Sequence, residues 1–519
     1  MPPVSTGCRA DSARMLAAAF HGRPIASLRI VTAAPASIPG ALDGLDNLHV
    51  RTREPTIRRQ LLFAAGDTID TLRVAESLRR LRRLHYLTDV GIIATTCPGV
   101  VPVDLAVVTR DAWSTAPSVK VHGSSSAVVG LEERNVLGTG RAAKVYIRSD
   151  GSRLGFGMAY TDPWVAGTNV AASLSRNAYR DGDDWTGTVG LRERSVFDGW
   201  RGDVTIARSA RESPAVSADT VRRESAELLV GRRVSHSRSN ATSLLAGAEY
   251  GEARVVAGVG AAIVGPSTVR REFIGLDLGV ARRGASYGTV DWYLPGGEPL
   301  DLPVALEGEA VIGAGRDVAL TRRALHADAW LGRFWMPGGR LLLSADAWGS
   351  GYRLGRQWSG GSLRLALGAD GPASRGRWSG RLAAEQLADP DPDVRALASV
   401  DPTVVALPER ARLAETALAT SVERDLHVHR VTRGYMFDLA GFGAASMRWD
   451  PAAGGERPAL AALGVGLRLS PTRAGMARIN LDFGFPVLHS PGVPNRPFIA
   501  FSVSPWLEAS RMRDGRRAR

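Results

Sequence analysis

The chain has 519 residues, 44% of them hydrophobic and 23% charged, which excludes a disordered chain. No stretch reaches the ~18 consecutive apolar residues of a membrane-crossing helix, so a helical bundle in a bilayer is excluded too. The net charge of +13 is nearly all arginine, with Lys120 and Lys144 the only lysines, and it is spread along the chain. A nucleic-acid partner needs a clustered basic face, and none is expected here.

Residues 1–22 form an N-terminal segment without the apolar core of a signal peptide. Export is therefore not expected unless a signal lies upstream. Cys8 and Cys97 are the two thiols, and neither has neighbours at metal-ligand spacing.

From 23 to 114 the pattern mixes periods. Residues 24–31 alternate as a strand. Thr52 is placed to cap a helix over Ile57, Leu61 and Leu62, with Gly66 as its stop. Asp70 caps a second helix, in which Leu72, Ala75, Leu78 and Leu81 recur at helical spacing. Arg79, Arg80, Arg82 and Arg83 are expected on its solvated face. Residues 90–94 and 103–108 read as a hairpin around Pro98-Gly99.

From 115 to 507 the pattern is strand-like throughout. Ile479, Leu481, Phe483 and Phe485 share one face, opposite Arg478, Asn480 and Asp482. Leu363, Leu365 and Leu367 oppose Arg364. Such dyads suit a soluble sandwich, or a membrane barrel with the apolar face turned out to lipid. Sixteen strands over this stretch would leave about 25 residues per strand and connection, enough for a spanning strand and its loop. Tyr160, Trp164, Trp292, Tyr293, Trp449 and Trp506 lie near strand ends, where a barrel carries its aromatic girdles. Residues 508–519 form a basic tail.

Several segments resemble the Omp-eighty-five superfamily, the bacterial surface-antigen family. The strand–helix–helix–strand–strand order of 23–114 is similar to one POTRA domain, and Arg110-Asp111-Ala112-Trp113-Ser114 to its exit into a barrel. The run 130–140, GLEERNVLGTG, resembles the motif after the first barrel strand, and Tyr160-Thr161-Asp162-Pro163-Trp164 a later turn of the family. Glu423-Arg424, residues 437–449, Gly464 to Arg468 and Phe498 to Phe501 follow the order of its closing strands. The resemblance implies a mainly β fold. A sixteen-stranded antiparallel outer-membrane barrel would follow one small α/β POTRA-like domain in the periplasm.

Two departures stand out. Arg433-Gly434-Tyr435 carries the letters of the family's sixth-loop motif but falls in a turn at the other end of the barrel. The sixth loop itself, about 388–411, has no Arg-Gly, so the element is either degenerate or carried by Arg395 or Arg410. The chain also runs past Trp506 into its basic tail.

No phosphate-cradling loop, nucleophile elbow or dinucleotide fingerprint is present. Neither an enzyme nor a cofactor is expected. His427 and His429 alternate on one strand face and are read as turn or lumen residues rather than ligands. Asp389, Asp391 and Asp393 lack the glycine and distal glutamate of a calcium loop. Glu423 and Arg424 are adjacent on a strand, so only one of them can point into the lumen.

The leading expectation is a barrel that assists insertion, assembly or translocation of other proteins. Its partners would be outer-membrane lipid and unfolded clients, the latter added as strands to an open sheet edge of the POTRA-like domain. The seam between the first and last strands would close weakly, with Gly123, Phe501 and Pro505 near it. The alternatives are a structural barrel, surface antigen or narrow pore without assembly activity, and a soluble all-β binding protein. In an exported chain, a Cys8–Cys97 disulfide would tie the N-terminal segment to the hairpin.

Overall fold

The computed structural model describes residues 20–35, 49–84, 86–96, 101–122, 126–150, 153–179, 182–191, 195, 198–212, 220–237, 240–256, 270–284, 286–295, 300–318, 322–354, 357–388, 416–431, 435–449, 459–472, 477–490 and 496–505. Everything below concerns these residues.

The N-terminal domain is a three-stranded sheet covered by helices. Its strands are β1 (Ile25–Ala33), β2 (Leu87–Ala94) and β3 (Val103–Asp111), in the order β1-β3-β2. β3 is parallel to β1 and antiparallel to β2. Ile25, Ile57, Leu81, Val103, Leu105 and Val107 are buried in its core. At roughly 2 kcal/mol per buried aliphatic side chain, this cluster is what holds the small domain together.

The helix Thr71–Arg82 starts as its sequence predicts, with Asp70 Oδ1 accepting from the Leu72 N–H at 2.8 Å. The earlier helix is shorter than expected, Glu54–Arg58, and Arg53 stands at its N-cap without a side-chain hydrogen bond. Thr52 is not a cap. Its N–H donates to Asp111 at 2.8 Å, and its hydroxyl accepts from Asn135.

The rest of the chain is a closed barrel. Its first ten strands are β4 (Thr115–His122), β5 (Ser126–Val136), β6 (Arg141–Asp150), β7 (Arg153–Asp162), β8 (Val170–Tyr179), β9 (Gly182–Leu191), β10 (Trp200–Glu212), β11 (Thr220–His236), β12 (Asn240–Val256) and β13 (Arg270–Gly284). A separate two-stranded hairpin follows, β14 (Tyr287–Val290) and β15 (Leu300–Pro303). The wall resumes with β16 (Glu307–Asp317), β17 (Arg322–Trp335), β18 (Leu342–Leu354), β19 (Gln357–Ala373) and β20 (Gly376–Ala388). It ends with β21 (Thr416–Arg430), β22 (Tyr435–Trp449), β23 (Ala459–Pro471), β24 (Ala477–His489) and β25 (Phe498–Pro505).

The wall therefore has twenty strands among the described residues, not sixteen. The arithmetic of about 25 residues per repeat failed because many connections are very short. Only 151–152 join β6 to β7, and only 374–375 join β19 to β20. Each wall strand pairs antiparallel with the next along the chain, a simple meander. β4 leaves the N-terminal domain directly. Connections such as β5–β6, β7–β8, β13–β16, β17–β18 and β19–β20 thus lie at the end of the barrel facing that domain, here called the proximal end.

The wall inverts the soluble pattern. Asp277 is 2% exposed and stands between Leu276 at 71% and Leu278 at 70%. Leu363, Leu365 and Leu367 are exposed outward, as are Leu463 and Val465. Buried carboxylates and arginines line the inside while a belt of leucine and valine faces out. That arrangement is stable in hydrocarbon and unfavourable in water, so the fold is a membrane-type β-barrel. No helix of the described residues is long and apolar enough to cross a membrane.

Tyr160, Trp200, Trp335 and Trp449 are exposed near strand ends, in girdle positions. Trp164 and Tyr293, expected there too, are buried inside turns instead.

Candidate functional site

Two structures meet at the proximal end, a joint and a hairpin seated in the mouth, while a weak seam runs between β4 and β25, its one recorded pair near the far end of β4. A chain of charges runs up the lumen beside them.

The joint is built by the 130–140 segment. After β5 the backbone turns through Leu137, Gly138 and Gly140, all at positive φ. The Gly138 carbonyl accepts from the Arg53 N–H at 2.9 Å and the Thr56 hydroxyl at 3.0 Å. A Cβ on Gly138 would overlap the Arg51 carbonyl oxygen, and one on Gly140 would come within 2.6 Å of the Tyr86 hydroxyl. Only glycine combines this φ with so close an approach. Asn135 donates to Thr52 at 2.8 Å and accepts from the Gly140 N–H at 2.7 Å. Asp111, fully buried, takes both the Thr52 N–H and His49 Nε2, the latter at 2.9 Å. A second contact comes from the 160–164 turn. Asp162 caps the Trp164 N–H and pairs with Arg141 at 2.9 Å, and a Cβ on the following Gly167 would lie only 3.0 Å from Arg59 Nη2.

The hairpin β14–β15 joins the domain to the lumen. One face meets the helix Thr71–Arg82. Arg82 pairs with Asp301 at 3.1 Å, Arg83 donates to the Tyr287 hydroxyl at 3.0 Å, and the Arg79 guanidinium stacks over the Tyr287 ring at 4.3 Å. The arginine run expected to be solvated is instead this interface; Arg80 is buried and reaches Gln60. Binding to Tyr287 outweighs burial and holds the Arg83 guanidinium above its usual value. The other face is apolar. Val290, Tyr293 and Leu302 pack on Phe334 of β17 and Leu342 of β18, which point into the barrel. Tyr293 stacks under the Arg377 guanidinium at 4.7 Å. Burial pushes the Tyr293 phenol above its ordinary value, and the Asp370 carboxylate adds to the shift.

From Arg377 the charges alternate across the wall. Arg381 pairs with Asp370 at 2.9 Å, and Arg377 lies 3.9 Å from Asp370 and 3.2 Å from Asp425. Arg478 bridges Asp425 at 2.5 Å and Glu423 at 2.8 Å. Arg468 bridges Glu423 at 3.0 Å and Asp482 at 2.6 Å. Each buried charge thus has a counter-charge, as a low-dielectric lumen requires.

The seam closes the barrel between β4 and β25. The ladder there records one residue pair, Phe501 with Val121. The flanking ladders, β24–β25 and β4–β5, each run through eight pairs. Each ladder hydrogen bond is worth about 1 kcal/mol net in water, and an unmet backbone group costs several in hydrocarbon. The seam is thus the wall's weakest joint among the described residues. Pro505 sits at the end of β25 opposite Ala477, and it has no N–H to donate.

Of the residues singled out from sequence, Cys8, Cys97, Gly123, Arg395 and Arg410 lie outside the described residues, as do Asp389, Asp391 and Asp393. Phe501 is the seam pair itself. Glu423 faces the lumen, and Arg424 faces out and donates to the Ser374 carbonyl at 2.7 Å. His427 and His429 do not share a face. A bulge between them turns His427 in to Asp438 at 2.8 Å and leaves His429 exposed. Sequence reasoning passed over Tyr287, Arg377 and Asp301 and read Tyr293 only as a girdle aromatic, although an acidic residue and two tyrosines in a long connection were a usable signal.

No family model matches the chain, and no curated protein matches it. Solved structures that align with it include BamA from Haemophilus ducreyi lacking POTRA domains 1–3, at 12% identity and TM-score 0.36, covering 92% of this chain and 84% of that one. CdiB from Escherichia coli aligns at 12% identity and TM-score 0.41, covering 92% and 76%. BauA, the ferric preacinetobactin receptor from Acinetobacter baumannii, aligns at 11% identity and TM-score 0.35, covering 81% and 85%.

Proposed function

We propose that this chain is an outer-membrane barrel that assists the insertion, assembly or translocation of other proteins, with its N-terminal domain in the periplasm. The observation that carries the reading is the one-pair seam between β4 and β25. A wall that opens there presents two strand edges to the membrane, and an incoming client strand satisfies them by pairing.

The N-terminal domain supplies a second acceptor. β1 and β2 are the outer strands of its sheet; apart from Ile25, whose backbone also bonds to Gly66 and Asp67, β1 has its ladder on the β3 side, and β2 likewise. An extended client segment adds to such an edge through backbone hydrogen bonds, without sequence preference. The joint at Gly138 holds that domain against the barrel's proximal rim.

A barrel serving only as a structural element or pore has no use for a weak seam, and the β14–β15 hairpin in the mouth argues against an open pore. Depletion in the native cell separates the readings. Assembly activity predicts falling amounts of other outer-membrane barrels and their accumulation as unfolded periplasmic species. Unchanged amounts would leave the structural reading standing.

A further inference from the structure

The lumen holds a second polar cluster, away from the charge chain of β19–β24. The ladder register places Asp277 of β13 opposite Gly313 of β16, and Gly313 opposite His326 of β17. Side chains two strands apart are normally kept apart by the residue between them. Gly313 removes that residue. A Cβ there would overlap both His326 Cε1 and Asp277 Oδ1. His326 therefore lies over the glycine. Its Nε2 comes 3.5 Å from Asp277 Oδ1 and 3.3 Å from Glu249 Oε2, with Asp328 Oδ2 at 4.0 Å.

Two further observations point to a ligand. A charge-assisted N–H···O bond measures about 2.7–2.9 Å. A tetrahedral site with bonds of about 2.0–2.1 Å holds its ligand atoms about 3.3 Å apart. The observed separations fit the second spacing. His326 is also 9% exposed, and its Nδ1 has no hydrogen-bond partner among the described residues. Nε2 is thus the engaged nitrogen, and it aims into the cluster. The Phe273 ring edge packs on the imidazole at 5.6 Å and fixes its plane. Arg201 and Arg283, on nearby strands, are engaged with Glu309 at 2.8 and 3.3 Å.

We infer that Glu249, Asp277 and His326 form a lumen site for a divalent transition cation of the zinc class. One imidazole and two carboxylates are a common donor set for such ions. The cation would staple β12, β13 and β17 across the intervening β16, stiffening the wall far from the seam.

The full-length chain in detergent micelles, stripped with chelator, is titrated with Co2+ and then with Zn2+. The site predicts one Co2+ per chain with strong visible absorption of four-coordinate type, displaced by Zn2+. His326→Gln and Asp277→Asn each lower the affinity at least tenfold, and Gly313→Ala does the same by filling the row. Heat-dependent gel migration confirms that each variant is folded, and Glu249→Gln replaces any that is not. No saturable Co2+ binding, or binding unchanged in the folded variants, would overturn the assignment and leave the cluster as a histidine–carboxylate network.

Discussion

Arg82 Nη1 lies 3.1 Å from Asp301 Oδ2, which joins the N-terminal domain's helix to a hairpin whose other face is packed inside the barrel mouth. Any tilt of the domain is thereby transmitted to the residues around Tyr293 and Arg377. The pair is partly exposed, so its own worth is below about 1 kcal/mol. Arg82→Glu is predicted to speed protease cleavage in residues 286–305 several-fold, and Arg82→Glu with Asp301→Arg to restore most of the protection. Equal cleavage in all three proteins would show that the contact does not hold the hairpin.

Gly138→Ala should be costly in a way its small size does not suggest. The substitution forces a Cβ onto positive φ and onto the Arg51 carbonyl, neither of which can move cheaply. The expected loss is about 1–2 kcal/mol or more, seen as a lower melting temperature for the N-terminal domain. Gly91→Ala, where a Cβ meets nothing within 4 Å, serves as the control and should be nearly neutral.

Arg478 stands between Glu423 and Asp425, so Arg478→Met leaves two carboxylates side by side in the lumen. Removing one partner of a buried network typically costs about 3–5 kcal/mol. Urea unfolding followed by gel migration should show a loss of that order, and Arg478→Lys a smaller one. A neutral Arg478→Met would mean that Arg468 on Glu423 and Arg377 on Asp425 already suffice to hold these acids.

The raised Tyr293 phenol makes seating of the hairpin pH-dependent. The folded value lies above the unfolded one, so its contribution is complete below the ordinary tyrosine value of about 10. It is lost as pH rises through the folded value. Cleavage in residues 286–305 should therefore accelerate at the alkaline end, and Tyr293→Phe should flatten that rise. A profile unchanged by Tyr293→Phe would place the sensitivity elsewhere.

The sequence disclosed some of this and hid the rest for physical reasons. The alternation of Ile479, Leu481, Phe483 and Phe485 with Arg478, Asn480 and Asp482 reads directly as two faces, because a strand's period of two is strictly local. Strand number was not legible, since a two-residue connection such as 151–152 interrupts the alternation too briefly to mark a turn. The arginines of the helix Thr71–Arg82 looked like a solvated face because their partners, Tyr287 and Asp301, lie some two hundred residues away. The Asp277–His326 approach depends on a register between distant strands, and no local pattern encodes it.

The most direct test of the central claim is to lock the seam. Val121 and Phe501, the one pair in its ladder, are replaced by cysteine in a chain whose Cys8 and Cys97 have become serine. Oxidation should then stop the assembly of other outer-membrane barrels in cells that depend on this chain, and reductant should restore it. Undiminished assembly with the seam fully cross-linked would contradict the account.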